Sequence, residues 1–245
     1  MDQRNRSRFW RVGQLAGIVS ISLIAAGMML PGNGTGGLQA PLGAAGLVPL
    51  PLTLPKPVFA GTPKDIPPGT TVERGTGKPR PIPMVPEGTV NLALHKKVTS
   101  STTIYNGNGS TATLDKITDG DKEARDDSVV ELKPRLQWVQ IDLGAVHPLS
   151  DIVVWHSHSQ PVVFHQVIVQ VSNDASFIDG VTTLFNNDQD NSAGMGIGQD
   201  HEYFETYEGK LINASGTKAR YVRLYSHGST NDPVNQYTEV EVYGQ

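Results

Sequence analysis

Proline divides this chain before any other feature is considered. Thirteen of its 17 prolines fall between residues 31 and 88. Runs such as Pro49-Leu50-Pro51-Leu52-Thr53-Leu54-Pro55-Lys56-Pro57 and Pro79-Arg80-Pro81-Ile82-Pro83 lack the N–H donors that a helix or central strand requires. Residues 31–88 are therefore predicted to be an extended, polyproline-like strap, at about 3.1 Å per residue. The prolines alternate with Leu, Val, Ile, Phe and Met rather than with Ser, Glu or Gln, so the strap has apolar surface to bury. One reading is a spacer that holds the following domain at a distance. The other is a strap laid along the surface of another protein, because an extended segment has no core of its own.

Ahead of the strap, residues 12–30 carry no charge. Nineteen residues at 1.5 Å each span about 28 Å, close to the hydrocarbon thickness of a bilayer. Arg4, Arg6, Arg8 and Arg11 precede this stretch, and no Lys or Arg follows it until Lys56. The positive-inside rule then keeps the N-terminus cytoplasmic and exports the rest. The expectation is a single-pass anchor in a bacterial inner membrane, with residues 12–30 in contact with lipid. A cleaved secretory signal competes with it, although the apolar stretch is long for one. Gly13 and Gly17 form a Gly-x-x-x-Gly pair, a spacing that lets two membrane helices pack closely.

Residues 89–245 hold the acidic excess of a chain whose net charge is −4. Such a surface repels a phosphate backbone, so nucleic acid is not an expected partner. There is no cysteine, which excludes disulfides, thiol nucleophiles and zinc–cysteine sites. From Asn91 onward, short apolar alternations are broken by Gly, Asn and Asp. Residues 136–143, 150–155, 163–171, 181–185, 220–225 and 237–243 are predicted strands. Val167, Val169 and Val171 point to one face, and Val240 and Val242 alternate with Glu239 and Glu241, which predicts one buried and one wet face. No amphipathic helix is evident.

The order of several segments carries a resemblance. Asn91-Leu92-Ala93-Leu94-His95-Lys96-Lys97-Val98-Thr99-Ser100, Ile117-Thr118-Asp119-Gly120-Asp121, Trp138-Val139-Gln140-Ile141-Asp142-Leu143-Gly144, Ala219-Arg220-Tyr221-Val222-Arg223-Leu224-Tyr225 and Glu239-Val240-Glu241-Val242-Tyr243-Gly244 follow one another as in the discoidin, or coagulation factor 5/8 type C, family. Residues 90–244 resemble that family. The resemblance implies an all-β fold, an antiparallel jelly-roll β-sandwich of the galactose-binding-like type, with binding loops at one end. The chain then divides into a basic stub and transmembrane helix (1–30), the strap (31–88) and the sandwich (89–245).

The resemblance also implies a structural calcium ion. Its ligands would be the carboxylates of Asp119 and Glu239, the carbonyls of Lys116 and Asp121, and Ser128. Calcium takes six to eight hard oxygens, and Asp115, Asp119, Asp121, Glu123, Asp126, Asp127 and Glu131 crowd one short stretch. The plainer reading makes Asp119-Gly120 a turn and leaves the other acids in water. Sugar-binding members of the family use aromatic, His, Arg and Asn side chains on loops. Trp155, His156, His158 and His165 are the nearest equivalents, although Trp155 also suits a core. His156-x-His158 with His165 further fits a transition-metal pattern.

No nucleophile triad and no Gly-x-Ser-x-Gly elbow is legible, and the glycine-rich run 191–198 has no Lys-Ser/Thr pair for a phosphate loop. The chain is expected to be non-enzymatic. The favoured reading is an accessory subunit that docks on a larger membrane protein complex on the exported side. The alternative is a cell-surface module that binds a glycan, galactose-like or other.

Overall fold

The computed structural model describes residues 46–245 apart from 60, 62, 73, 74 and 76. The predicted membrane segment and its Gly13/Gly17 pair lie outside the described residues. Among the described residues no helix is long and apolar enough to cross a membrane. Almost all regular structure is strand: β1 (Leu47–Pro49), β2 (Met84–Pro86), β3 (Val90–Asn91), β4 (Val98–Ser100), β5 (Val130–Leu132), β6 (Gln137–His156), β7 (Ile168–Ser172), β8 (Thr182–Asn186), β9 (Lys210–Ser226) and β10 (Asn235–Gly244), with one 3-10 turn at Leu114–Thr118.

Two long strands organise the sandwich. β6 and β9 pair antiparallel from Gln137↔Ser226 to Val154↔Lys210, with register breaks between Asp142 and His147 and between Leu149 and Asp151. The breaks bend both strands, as bulges do, so each strand serves two parts of the curled sheet. The first half of β6 takes β4 as a neighbour and the second half takes β10. The sheet runs β3-β10-β6-β9-β7-β8. Its inner face closes on Val139, Ile141, Ile152, Val154, Val169, Val171, Val222, Leu224, Val240 and Val242. Each fully buried side chain of this kind contributes about 1.5–3 kcal/mol relative to exposure. The two strands predicted at 136–143 and 150–155 are one strand, and the strand predicted at 220–225 begins ten residues earlier, at Lys210.

The inward alternation of β7 and β10 is present, but the other face of β10 is not wet. Glu239 and Glu241 are both buried. Glu239 accepts the Gly120 N–H, and Glu241 pairs with Lys122 and accepts from the Tyr243 hydroxyl, so both lie under the loop that follows Asp119. β1 and β2 pair as a two-stranded ribbon, Leu47↔Pro86 to Pro49↔Met84. Val85 and Leu50 of this region form a second apolar cluster with Val153, Trp155 and Tyr243, against which Val48, Leu52 and Leu211 pack. Part of the apolar surface placed between the prolines, Leu50 and Val85 foremost, is therefore buried on the chain's own sandwich. Polar contacts fix the layer further along. Arg80 donates from Nη1 to the Gly209 carbonyl (2.9 Å) and from Nη2 to the Glu208 carbonyl (2.9 Å), and its backbone N–H reaches Glu208 Oε1 (3.2 Å).

Candidate ligand site

Three of the four residues expected to face a sugar are interior. Trp155, His156 and His158 expose 0% of their surface. Trp155 lies under the ribbon, its Nε1 donates to the Tyr207 carbonyl (2.9 Å), and the Lys122 ammonium sits 5.6 Å from the ring centre. Lys122 in turn pairs with Glu241 at 2.7 Å. His156 stacks on Phe164 with centroids 4.5 Å apart and pairs through Nδ1 with Glu205 Oε1 at 2.6 Å. His158 meets the Lys122 carbonyl through Nε2 at 2.8 Å. The His156, His158 and His165 pattern is not assembled either, because each ring has a different partner. Among the described residues no three His, Cys, Asp or Glu side chains converge as a metal site.

The residues expected around calcium form a partly connected group. Asp119 follows the 3-10 turn as its C-terminal cap. Its Oδ1 accepts the Asp121 N–H (2.9 Å) and its Oδ2 the Lys116 ammonium (2.9 Å). Asp121 Oδ2 accepts from Ser128 Oγ (3.1 Å) and from Arg125. Glu239, from β10, reaches the same loop through Oε2, which accepts the Gly120 N–H (3.2 Å). Its Oε1 is buried with no partner. Burial pushes the Glu239 carboxyl up to about 9, with Glu241 and Asp119 adding repulsion. A buried, unpartnered carboxylate oxygen beside a second carboxylate fits a hard cation, and to that extent the donor set suits calcium.

His165 has a different setting. It lines an open cleft of about 520 Å³ with Gln166, His227, Ser229, Thr230, Asn231, Asp232 and Pro233. The two chain segments are held side by side: the His165 N–H donates to the Gly228 carbonyl (3.0 Å) and the His227 N–H to the His165 carbonyl (2.9 Å). Gly228 lets its own loop fold back on itself. Its φ is +65°, and a Cβ there would lie 2.8 Å from the Pro233 backbone. Each imidazole is tied back through Nδ1, His165 to Glu202 Oε1 (2.7 Å) and His227 to Gln166 Oε1 (2.8 Å). The acceptors on the far side mean that Nδ1 carries the proton in both rings, which leaves Nε2 as the atom each can offer to a ligand. Asp232 shapes the loop, accepting from Val234 N–H and Asn108 Nδ2, both at 2.8 Å.

His227, Asn231 and Asp232 were not among the residues predicted from sequence. The signal was present: His227-Gly228-Ser229-Thr230-Asn231-Asp232-Pro233 is a turn-forming polar run between two strands. What sequence does not show is that this loop lies against His165, 62 residues away.

No curated protein sequence matches the chain. Among solved structures it is similar to a family 89 glycoside hydrolase from Clostridium perfringens, with 18% identity and a TM-score of 0.47 over 64% of this chain, and it spans 15% of that enzyme's length. A chitosan-binding module of a Paenibacillus chitosanase/glucanase aligns with 21% identity and a TM-score of 0.43, over 63% of this chain and 99% of that one. A fucose-binding module from Streptococcus pneumoniae gives 18%, 0.43, 64% and 98% for the same quantities. The decisive match is to a family profile. The F5/8 type C domain profile covers residues 97–240, more than half of the chain, and agrees with the strands and core described above, so this protein belongs to the F5/8 type C domain family.

Proposed function

We propose that the protein is a non-enzymatic binding module whose ligand is a neutral glycan, held in the cleft between His165 and His227. The observation that carries this reading is the pair of tied-back imidazoles on one open, loop-built cleft. A sugar hydroxyl is both donor and acceptor, and a neutral imidazole nitrogen can accept from it. Trp155, His156 and His158 have no part in this site, because burial removes them from any ligand. A glycan array probed with the full chain tests the reading: binding to galactosides or related neutral sugars is expected, with loss in His165→Ala and His227→Ala. Silence across galactosides, fucosides and cell-wall glycans would reject it.

In the same reading, Asp119 and Glu239, with the carbonyls of Lys116 and Asp121 and the hydroxyl of Ser128, would hold calcium. The ion would supply positive charge that offsets the burial of Glu239. The Asp119-Gly120-Asp121 loop fixes the entry of the chain towards β5, so the ion's role is structural.

A second reading keeps the anchor and the docking role. Leu47, Ile82 and Met84 of the ribbon region expose 63%, 55% and 55% of their surface. With residues 12–30 in a bacterial inner membrane, this row would face a membrane protein complex on the exported side. Co-purification from mild detergent tests it: Leu47→Ser with Met84→Ser is expected to release the associated proteins, and unchanged association would remove the reading.

A further inference from the structure

The strap reaches the ligand cleft through one carboxylate. Thr71 and Glu202 share two bonds, the Thr71 N–H donating to Glu202 Oε2 (2.8 Å) and the Glu202 N–H to Thr71 Oγ1 (3.1 Å), and the neighbouring His201 Nδ1 meets the Thr71 carbonyl (2.9 Å). Val72, next in the chain, is buried. The other oxygen of Glu202 is the partner of His165 Nδ1, at 2.7 Å, and this carboxylate side chain is only 10% exposed. One carboxylate thus has its two oxygens divided between the strap and the cleft.

We infer that the proline-rich strap is part of the ligand site: Thr71, acting through Glu202, is a positioning residue that fixes the ring of His165. This rests on the cleft being the binding site. The chemistry is that of an oriented imidazole. A carboxylate only accepts, so the bond to Oε1 places the proton of the neutral ring on Nδ1 and makes Nε2 an acceptor. His227 is set the same way by Gln166, whose Nε2 is itself occupied with Ser192 Oγ. Two acceptor nitrogens on one cleft select for a ligand that brings hydrogen-bond donors, such as adjacent hydroxyls of a neutral sugar, over one that brings phosphate, sulfate or carboxylate oxygens. The strap lies outside the residues matched by the family profile, 97–240, so this dependence is a property of the longer chain.

The geometry gives a substitution that separates positioning from simple packing. Glu202→Gln keeps size and shape but has one acceptor and one donor end. It can serve Thr71 or His165 as the carboxylate does, not both. Thr71→Pro removes the strap's N–H and hydroxyl without touching Glu202 or His165. Imidazole nitrogen NMR of the full chain reads the result. In the natural protein the Nδ1–H tautomer of His165 is expected. In Glu202→Gln it is expected to be lost in favour of Nε2–H, and in Thr71→Pro it is expected to become a mixture, with near-UV circular dichroism showing a folded sandwich in both. A His165 tautomer unchanged in both variants overturns the inference, and so does an Nε2–H ring in the natural protein. Galactose titration of the same samples separates this from the binding reading. If galactose binds, Thr71→Pro should weaken it by about tenfold, the worth of roughly one hydrogen bond. If the tautomer responds as expected while neither galactose nor any glycan of the array binds, the positioning role stands and the glycan reading falls.

Discussion

Gly209 lies against the indole of Trp155 so closely that a Cβ on it would stand 2.6 Å from the ring. Its φ of +63° is also one that other residues reach only under strain. The turn at Thr206–Gly209 places the Tyr207, Glu208 and Gly209 carbonyls where Trp155 and Arg80 donate to them. Gly209→Ala should therefore cost about 2–3 kcal/mol, from overpacking and backbone strain together. Denaturant unfolding measures the loss, and tryptophan fluorescence should shift as the ribbon loosens.

Arg80 is the polar clasp of the same layer. Its guanidinium donates to two carbonyls, and burial lowers its pKa while Glu208 and Asp151 act in the opposite direction. Arg80→Ala is expected to cost about 1–3 kcal/mol, since hydrogen bonds from a charged donor are lost and two carbonyls go unpaired. Limited proteolysis should then cut between residues 52 and 80 well before it cuts the sandwich. Unchanged protection would mean that the apolar cluster of Leu50 and Val85 and the Thr71–Glu202 bonds hold the layer without Arg80.

Calcium and proton should compete at Glu239. Without added divalent cation, a carboxyl raised to about 9 contributes stability that is present below its ordinary value of 4.5 and is lost as pH rises towards 9. Added calcium should reverse that loss and raise the melting temperature, by the equivalent of about 2.7 kcal/mol at a hundredfold excess over Kd. Glu239→Gln should flatten both dependences, and chelator should leave that variant unaffected. Equal calcium stabilisation of the variant and the natural protein would move the ion elsewhere.

Asp142 predicts a pH dependence of the opposite sign. Arg220 donates to both its oxygens, Nε at 2.8 Å and Nη2 at 2.9 Å, and the Gly144 N–H adds a third bond. The Arg220 bond is the main cause that lowers its pKa below the ordinary 3.8. A depressed folded-state pKa gives stability that is present above the unfolded value and is lost as pH falls through the folded one. Acid unfolding below about pH 4 should therefore be shallower in Asp142→Asn. The pair is partly exposed, so added salt should weaken the effect.

The inner face of the sandwich was legible because it follows from alternation alone: Val167, Val169 and Val171 needed no knowledge of their neighbours. The outer face was not, because Glu239 and Glu241 read as solvent-facing until the loop of Gly120 and Lys122, distant in sequence, closes over them. Trp155 misled for the same reason. An aromatic residue at a strand end looks available, and only the ribbon and Gly209 close it off. That His165 and His227 line one cleft was not legible, because which turns lie together in space is not written in either segment. The junction of Thr71 with Glu202 spans 131 residues and leaves no periodic trace in either segment.

The pairing of β1 with β2 has a mechanical consequence. Gly46 and Glu87 are bonded at the open end of the ribbon, through the Glu87 N–H and the Gly46 carbonyl. Tension entering the chain ahead of residue 46 and resisted by the sandwich beyond residue 87 acts at that end. It would part the ribbon's bonds one after another instead of shearing them together, so the layer would yield at low force while the sandwich behind it stays intact. Single-molecule pulling should show this as a small first extension before the main rupture.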